Sequence, residues 1–149
     1  MKFELTTESI QQGNKKLFRI KALISFGNVS AGDLGGYIEK EPNLSQHGNA
    51  WVYGDARVSG DAWVSGDAWV YSNAWVYGNA RVSGICINIQ ARWNITITDN
   101  HIQIGCELHT IKQWFSFKDS RIDKMDNSAL DWWTRNKEWL KLLCETRAK

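Results

Sequence analysis

NAWVYG, DARVSG, DAWVSG, DAWVYS, NAWVYG and NARVSG, residues 49–84, are six hexads in unbroken succession. Repetition at a fixed period outranks any local reading, because each repeat must build the same unit as its neighbours. Every hexad has Ala second (Ala50, Ala56, Ala62, Ala68, Ala74, Ala80) and Val fourth (Val52, Val58, Val64, Val70, Val76, Val82). Alternate side chains of an extended segment point to opposite faces, so Ala and Val share one face and the flanking Trp/Arg and Tyr/Ser columns share the other. Each hexad closes on Gly or Ser before Asp or Asn, residues that turn a chain at low cost. The unit is a two- or three-residue strand plus a corner. A helical or heptad period fits none of these columns.

Three such units close a triangle, so the expectation is an all-β solenoid in which 18-residue coils stack by parallel pairing about 4.8 Å apart. Ile38, Asn43, Leu44 and Gly48 fall in the same frame and extend the repeat backward, giving a β-helix over 37–84. A solenoid leaves open ends that terminal segments must cover. Residues 1–36 are assigned to an N-terminal β cap, on the alternation of Leu17 to Leu23 and the turn-rich run Ser30 to Gly36. Residues 85–109 are a β extension: Ile85, Ile87 and Ile89 alternate, and Ile95-Thr96-Ile97 and Ile102-Gln103-Ile104 flank a hairpin turn. Residues 110–149 are a helical tail. Thr110 and Gln113 have capping-box spacing before a short helix, and a second helix over Ser128–Thr146 gathers Ala129, Trp132, Trp133, Leu140 and Leu143 on one side. All 149 residues are read as one domain.

Composition bounds the function. A net charge of +2 announces no polyanion binder. No apolar run reaches the roughly 20 residues of a membrane span, and Met1-Lys2-Phe3-Glu4 opens no signal-peptide core, so a cytoplasmic protein is expected. Cys86, Cys106 and Cys144 are odd in number and form no CxxC pair, which points to reduced thiols. The outlier is tryptophan, nine in this short chain.

The hexads, with GGYIEK at 35–40 and NLS at 43–45, resemble the left-handed β-helix of hexapeptide-repeat proteins, in particular the YdcK-like branch and similar small phage and prophage proteins. The likeness spans Leu17 to Cys106. It implies a left-handed triangular β-helix and a phage or prophage origin, hence a bacterial host cytoplasm. Acyltransferases that share this fold are implied to carry a catalytic His and a small or acidic residue after the aliphatic position, where this chain has Tyr or Ser and no His in the repeat.

Candidate chemistry is sparse. Cys106 and His109 are the only thiol and imidazole close in sequence, and neither the complement of a nucleophile nor that of a zinc site can be named around them. Asp55, Asp61 and Asp67 form a carboxylate column read as corner hydrogen bonding in preference to calcium binding. No catalytic residue, metal or cofactor is expected.

The outward columns carry the functional reading. An 18-residue coil stacks Trp51 under Trp69 and Tyr53 under Tyr71 on one face, Arg57 under Trp75 and Ser59 under Tyr77 on the second, and Trp63 under Arg81 on the third. The first face alone offers on the order of 600 Å² of aromatic surface, at or above the largest patch a monomer normally exposes. Stacked rings and Arg-over-Trp pairs that only stabilise the coils are the bland reading. The sharper one is a non-enzymatic binding protein whose aromatic faces self-associate or hold a protein target, such as a component of host defence, CRISPR–Cas included. Two alternatives stand behind it. One is an acyltransferase-like enzyme with an inter-subunit site near His47, His101 or His109. The other is a single-strand nucleic-acid binder, ranked lower because the hexads hold two Arg and no Lys against three Asp.

Overall fold

The computed structural model describes residues 1–84 and 86–147. Strands β1 (Phe3–Gln12) and β2 (Lys15–Ala22) form an antiparallel hairpin, and β3 (Leu34–Ile38) pairs antiparallel with β2. The hexads follow as two-residue strands: β4 (Trp51–Val52), β5 (Arg57–Val58), β6 (Trp63–Val64), β7 (Trp69–Val70), β8 (Trp75–Val76) and β9 (Arg81–Val82). They pair in parallel with an 18-residue step: Trp51 opposite Trp69, Arg57 opposite Trp75, Trp63 opposite Arg81. β5 also lies on β3, with Tyr37 opposite Arg57. Four antiparallel strands, β10 (Ile87–Gln90), β11 (Asn94–Ile97), β12 (His101–Ile104) and β13 (Glu107–Thr110), come next. Helices α1 (Ile111–Ser116), α2 (Asp119–Asp123) and α3 (Ala129–Arg147) follow.

The expected all-β, left-handed triangular β-helix is therefore corrected. Only two residues of each hexad enter a ladder, and the hexads stack only twofold among themselves. Their ladders stay small and separate, two of them two-stranded and the third absorbed into the mixed sheet β1-β2-β3-β5-β8. Among the described residues no closed or solenoidal sheet results. The remaining sheet structure is antiparallel, and α3, 19 residues long, runs within one residue of the expected Ser128–Thr146 at each end. The expected hairpin widens into a four-stranded sheet because Ile87–Gln90 and Glu107–Thr110 flank it. Ile85 and the last two residues of the expected tail lie outside the described residues.

Side-chain parity within the hexads is nonetheless obeyed: all six Ala and all six Val are at most 2% exposed. They form one core with Phe3, Ile20 and Ile38. Asn43 closes its upstream end, donating through Nδ2 to the carbonyls of Gly60 (3.1 Å) and Ala62 (2.9 Å) and accepting from the Lys40 amide (2.9 Å). A second core gathers Ile95, Ile97, Ile102 and Ile104 under Trp114, Ile122, Trp133 and Leu140. Thr110 and Gln113 form the capping box of α1, and the Trp114 indole N–H donates to the Ile102 carbonyl at 2.7 Å. Asp99 joins the two units. It accepts from Ser83 Oγ (2.6 Å) in the last hexad and from Arg147 Nη2 (2.6 Å) at the end of α3.

The hexad corners adopt left-handed backbone at Gly48, Gly54, Gly60, Gly66 and Gly78, and Ser72 takes the same conformation with φ +61°. A side chain there costs about 1 kcal/mol or more, which Gly avoids. At Gly48 a Cβ would also sit 2.7 Å from the Gly66 carbonyl oxygen. Ser72→Gly should therefore raise the melting temperature, and Gly48→Ala should lower it by more than Ser72→Gly raises it. Thermal denaturation followed by circular dichroism checks both signs.

Lys2 is 2% exposed, with Nζ donating to the Ala50 carbonyl (2.8 Å) and lying 4.8 Å from the centroid of the Phe26 ring. Burial lowers its pKa to about 8. An unfolded Lys titrates near about 10.4, so between these values the unfolded chain binds more protons and stability rises with pH. Wild type should gain stability relative to Lys2→Met as pH climbs from about 8 to about 10.5, measured by urea denaturation at each pH. A constant difference would remove the buried cation from the account.

Candidate functional site

The three outward columns meet different fates. On the first face Trp51 is only 1% exposed, because Phe3 and Phe26 pack edge-on against it at ring separations of 6.4 and 5.4 Å. It belongs to the core, which corrects its assignment to an open binding surface. One rung on, Trp69 is 46% and Tyr71 39% exposed, and Tyr53 sets its ring edge-on to Trp69 at 6.0 Å. The N-terminal Phe3 and Phe26 thus cover one of the four expected aromatics, Trp51, and Trp114, Trp132 and Trp133 of the C-terminal tail pack in or against the second core.

On the second face Arg57, Trp75 and Tyr77 are half-buried. Arg57 Nη1 donates to Gln12 Oε1 (3.3 Å) on the N-terminal hairpin. The rings of Trp75 and Tyr77 lie 4.4 Å apart, and the Tyr77 hydroxyl donates to the Cys106 carbonyl. Burial pushes the Tyr77 phenol up to about 12. A groove of about 500 Å³ runs along Tyr37, Arg57 and Trp75, closed by Ile10 and Gln12 on one side and by Asn94 on another.

On the third face Trp63 is 45% exposed, and the Arg81 guanidinium lies over its ring at 5.5 Å. A depression lies on each side of the indole. One, of about 270 Å³, is bordered by Lys40, Asp61 and Arg81; the other, of about 420 Å³, by Glu41, Leu44 and Gln46. Lys40 and Asp61 are ion-paired at 3.0 Å. Trp63, Arg81, Trp69 and Tyr71 thus remain as the outward set facing solvent, with Tyr53 supporting Trp69.

The sparse chemical groups take local partners. His109 Nε2 lies 2.7 Å from Glu107 Oε2, and its ring meets Trp114 and Phe117 edge-on. His101 Nδ1 contacts Asn100 Oδ1 at 2.9 Å, and burial together with nearby His109 lowers its pKa. His47 is exposed at a corner. Cys106 is exposed in the turn between β12 and β13, while burial pushes the Cys86 thiol up to about 12. In the Asp column, Asp55 faces Arg19 (3.7 Å), Asp61 faces Lys40, and Asp67 accepts from Asn49 Nδ2 (3.1 Å). Among the described residues no group of three or more His, Cys, Asp or Glu gathers as a metal would require, and no helix is long and apolar enough to cross a membrane.

Residues 50–66 match a family model described as the YdcK Beta solenoid repeat. The match runs from Ala50 through Gly66, and it supports a YdcK-like repeat there. No curated protein matches the chain.

Trp51 and Trp69 occupy equivalent positions one rung apart, yet one is enclosed and the other half open. Trp51→Ala should therefore cost about 3 to 5 kcal/mol, the range for truncating a buried aromatic, whereas Trp69→Ala should cost about 1 kcal/mol or less. Chemical denaturation of the two variants measures the gap, and equal costs would contradict the placement of Phe3 and Phe26 over Trp51.

Proposed function

We propose that the protein acts by binding a protein partner through the aromatic platforms Trp63–Arg81 and Trp69–Tyr71. The observation that carries this reading is that Trp63, Trp69 and Tyr71 stand more than a third exposed on the hexads, whose backbone is held by parallel ladders. Exposed Trp, Tyr and Arg on a preorganised scaffold lose little conformational freedom on docking, and these residue types concentrate binding energy. The resemblance to small phage and prophage proteins extends the proposal to a phage-type origin and makes a component of bacterial defence, CRISPR–Cas included, the first partner to test. A second copy of this chain is the other protein that the same surface would take.

The test compares wild type, Trp63→Ala with Arg81→Ala, Trp69→Ala with Tyr71→Ala, and the remote control Lys112→Ala. Light scattering reads self-association, and affinity capture from bacterial cells reads a stoichiometric partner. Loss of anchors worth about 2 kcal/mol each should weaken association by tens of fold per anchor. The expected result is that both aromatic variants keep the far-ultraviolet spectrum of wild type while at least one loses the partner that Lys112→Ala retains. Folded aromatic variants that bind unchanged would overturn the proposal. So would a nuclease-sensitive nucleic acid in place of the protein.

A further inference from the structure

Five tryptophans lie outside the hexads, and four of them, Trp93, Trp114, Trp132 and Trp133, line one cavity of about 120 Å³ between the β10–β13 sheet and the helices. Trp93 and Trp132 meet edge-on at 5.7 Å, and Trp114 and Trp133 are tilted together at 5.4 Å. Trp114 and Trp133 are buried behind the cavity, Trp132 is half-buried, and the lining residues Cys106 and Asp126 are exposed at its rim. The volume is close to the roughly 150 Å³ of an apolar cavity that takes up benzene, so it admits one small compact group.

The lining is mostly apolar but holds two carboxylates, Glu107 and Asp126. Asp126 accepts from the Ser128 amide (2.9 Å) and hydroxyl (2.8 Å). Those hydrogen bonds hold its pKa below the usual carboxylate range and so keep it charged at neutral pH. Glu107 is engaged by His109 Nε2 at 2.7 Å, which leaves Asp126 at the rim as the negative charge beside the four indoles, whose ring faces attract cations. Trp93 already serves a cation, since the Arg92 guanidinium lies 5.1 Å from its ring. A neutral apolar guest would gain nothing from the carboxylates. A compact, strongly hydrated ammonium would lose too much hydration in so apolar a space. A methylated ammonium is cationic, weakly hydrated and of the right size.

We propose that this cavity binds a methylated ammonium group, carried by a small ligand or by a modified lysine of a partner. The site is separate from the hexad platforms, so Trp63 and Trp69 variants leave it unchanged. The test is isothermal titration, at matched ionic strength, of tetramethylammonium, choline, N-acetyl-trimethyllysine methylamide and 3,3-dimethyl-1-butanol, the neutral isostere of choline. Choline should bind at least about tenfold tighter than its neutral isostere, in line with a desolvated cation–π site. Asp126→Asn should weaken the cations several-fold with no effect on the isostere. Trp132→Ala should abolish binding, and Arg92→Gln, which removes a like charge, should tighten it. Asp126 is exposed, so Asp126→Asn keeps the test decisive if Trp132→Ala fails to fold. Tighter binding of choline or of the lysine derivative identifies the source of the group, and either supports the proposal. Absence of saturable binding by all three cations, or equal affinity for the neutral isostere, overturns it.

Discussion

One alanine and one valine per hexad are all that the interior of the repeat admits, and the rest of the molecule follows from that narrowness. Twelve small side chains buried to 2% exposure or less give close packing but little apolar area for each residue ordered. The large residues of the hexads are forced outward. Stability must then come from elsewhere: from the hairpin β1–β2, which adds Phe3 and Ile20 to the hexad core, and from a second core of isoleucines and tryptophans under three helices. Asp99 couples the two, because one carboxylate receives both Ser83 of the last hexad and Arg147 of the last helix. Its loss would remove both bonds at once, leaving contacts such as the Arg81 amide on Asn100 Oδ1 and Asn94 Nδ2 on the Asn73 carbonyl to join the two units.

The repeat was legible because its evidence is columnar. Ala and Val recur every six residues, and the observed pairing of Trp51 with Trp69 keeps that register, since it spans three whole hexads. The fold class was not legible, because column identity does not reveal ladder length. With two residues per strand, each hexad adds too little pairing to merge into one sheet, and the antiparallel strands around the repeat decide the class. β1 escaped notice since most of its residues after Leu5 are polar, and a strand that packs through Phe3 near one end shows little alternation. Likewise β13, Glu107–Thr110, is half-buried throughout and gives no period-two signal. The α1 capping box was readable from Thr110 and Gln113 because both partners lie within one turn.

The binding surface was legible only to the extent that it is local. Parity correctly sends Trp51, Trp63 and Trp69 away from the Ala/Val interior. Whether an outward side chain reaches solvent depends on segments far away in sequence. Phe3 and Phe26 reach Trp51 through the fold of the N-terminal 36 residues, and no hexad residue encodes that contact. Arg57 shows the same limit. Its register with Trp75 predicts a cation over a ring, yet the guanidinium donates to Gln12 of the N-terminal hairpin, while Arg81, held through its backbone by Asp99 and Asn100, does lie over Trp63.

The N-terminal hairpin therefore selects which aromatics are available for binding. It covers Trp51 and takes Arg57, and it stops short of the next rung, where Trp69 and Tyr71 stay open. Had the hexads evolved only for mutual stacking, the positions left open to solvent would be expected to carry small or polar residues in place of large rings. Instead Trp69 and Tyr71 stand one rung beyond Trp51, and Trp63 remains half open beneath Arg81. Leaving three large rings 39–46% exposed forgoes a part, under half, of the burial energy that complete enclosure would give each of them. A partner that covers them recovers that energy on docking, which is the physical reason to place the binding surface at the hexads that the hairpin leaves uncovered.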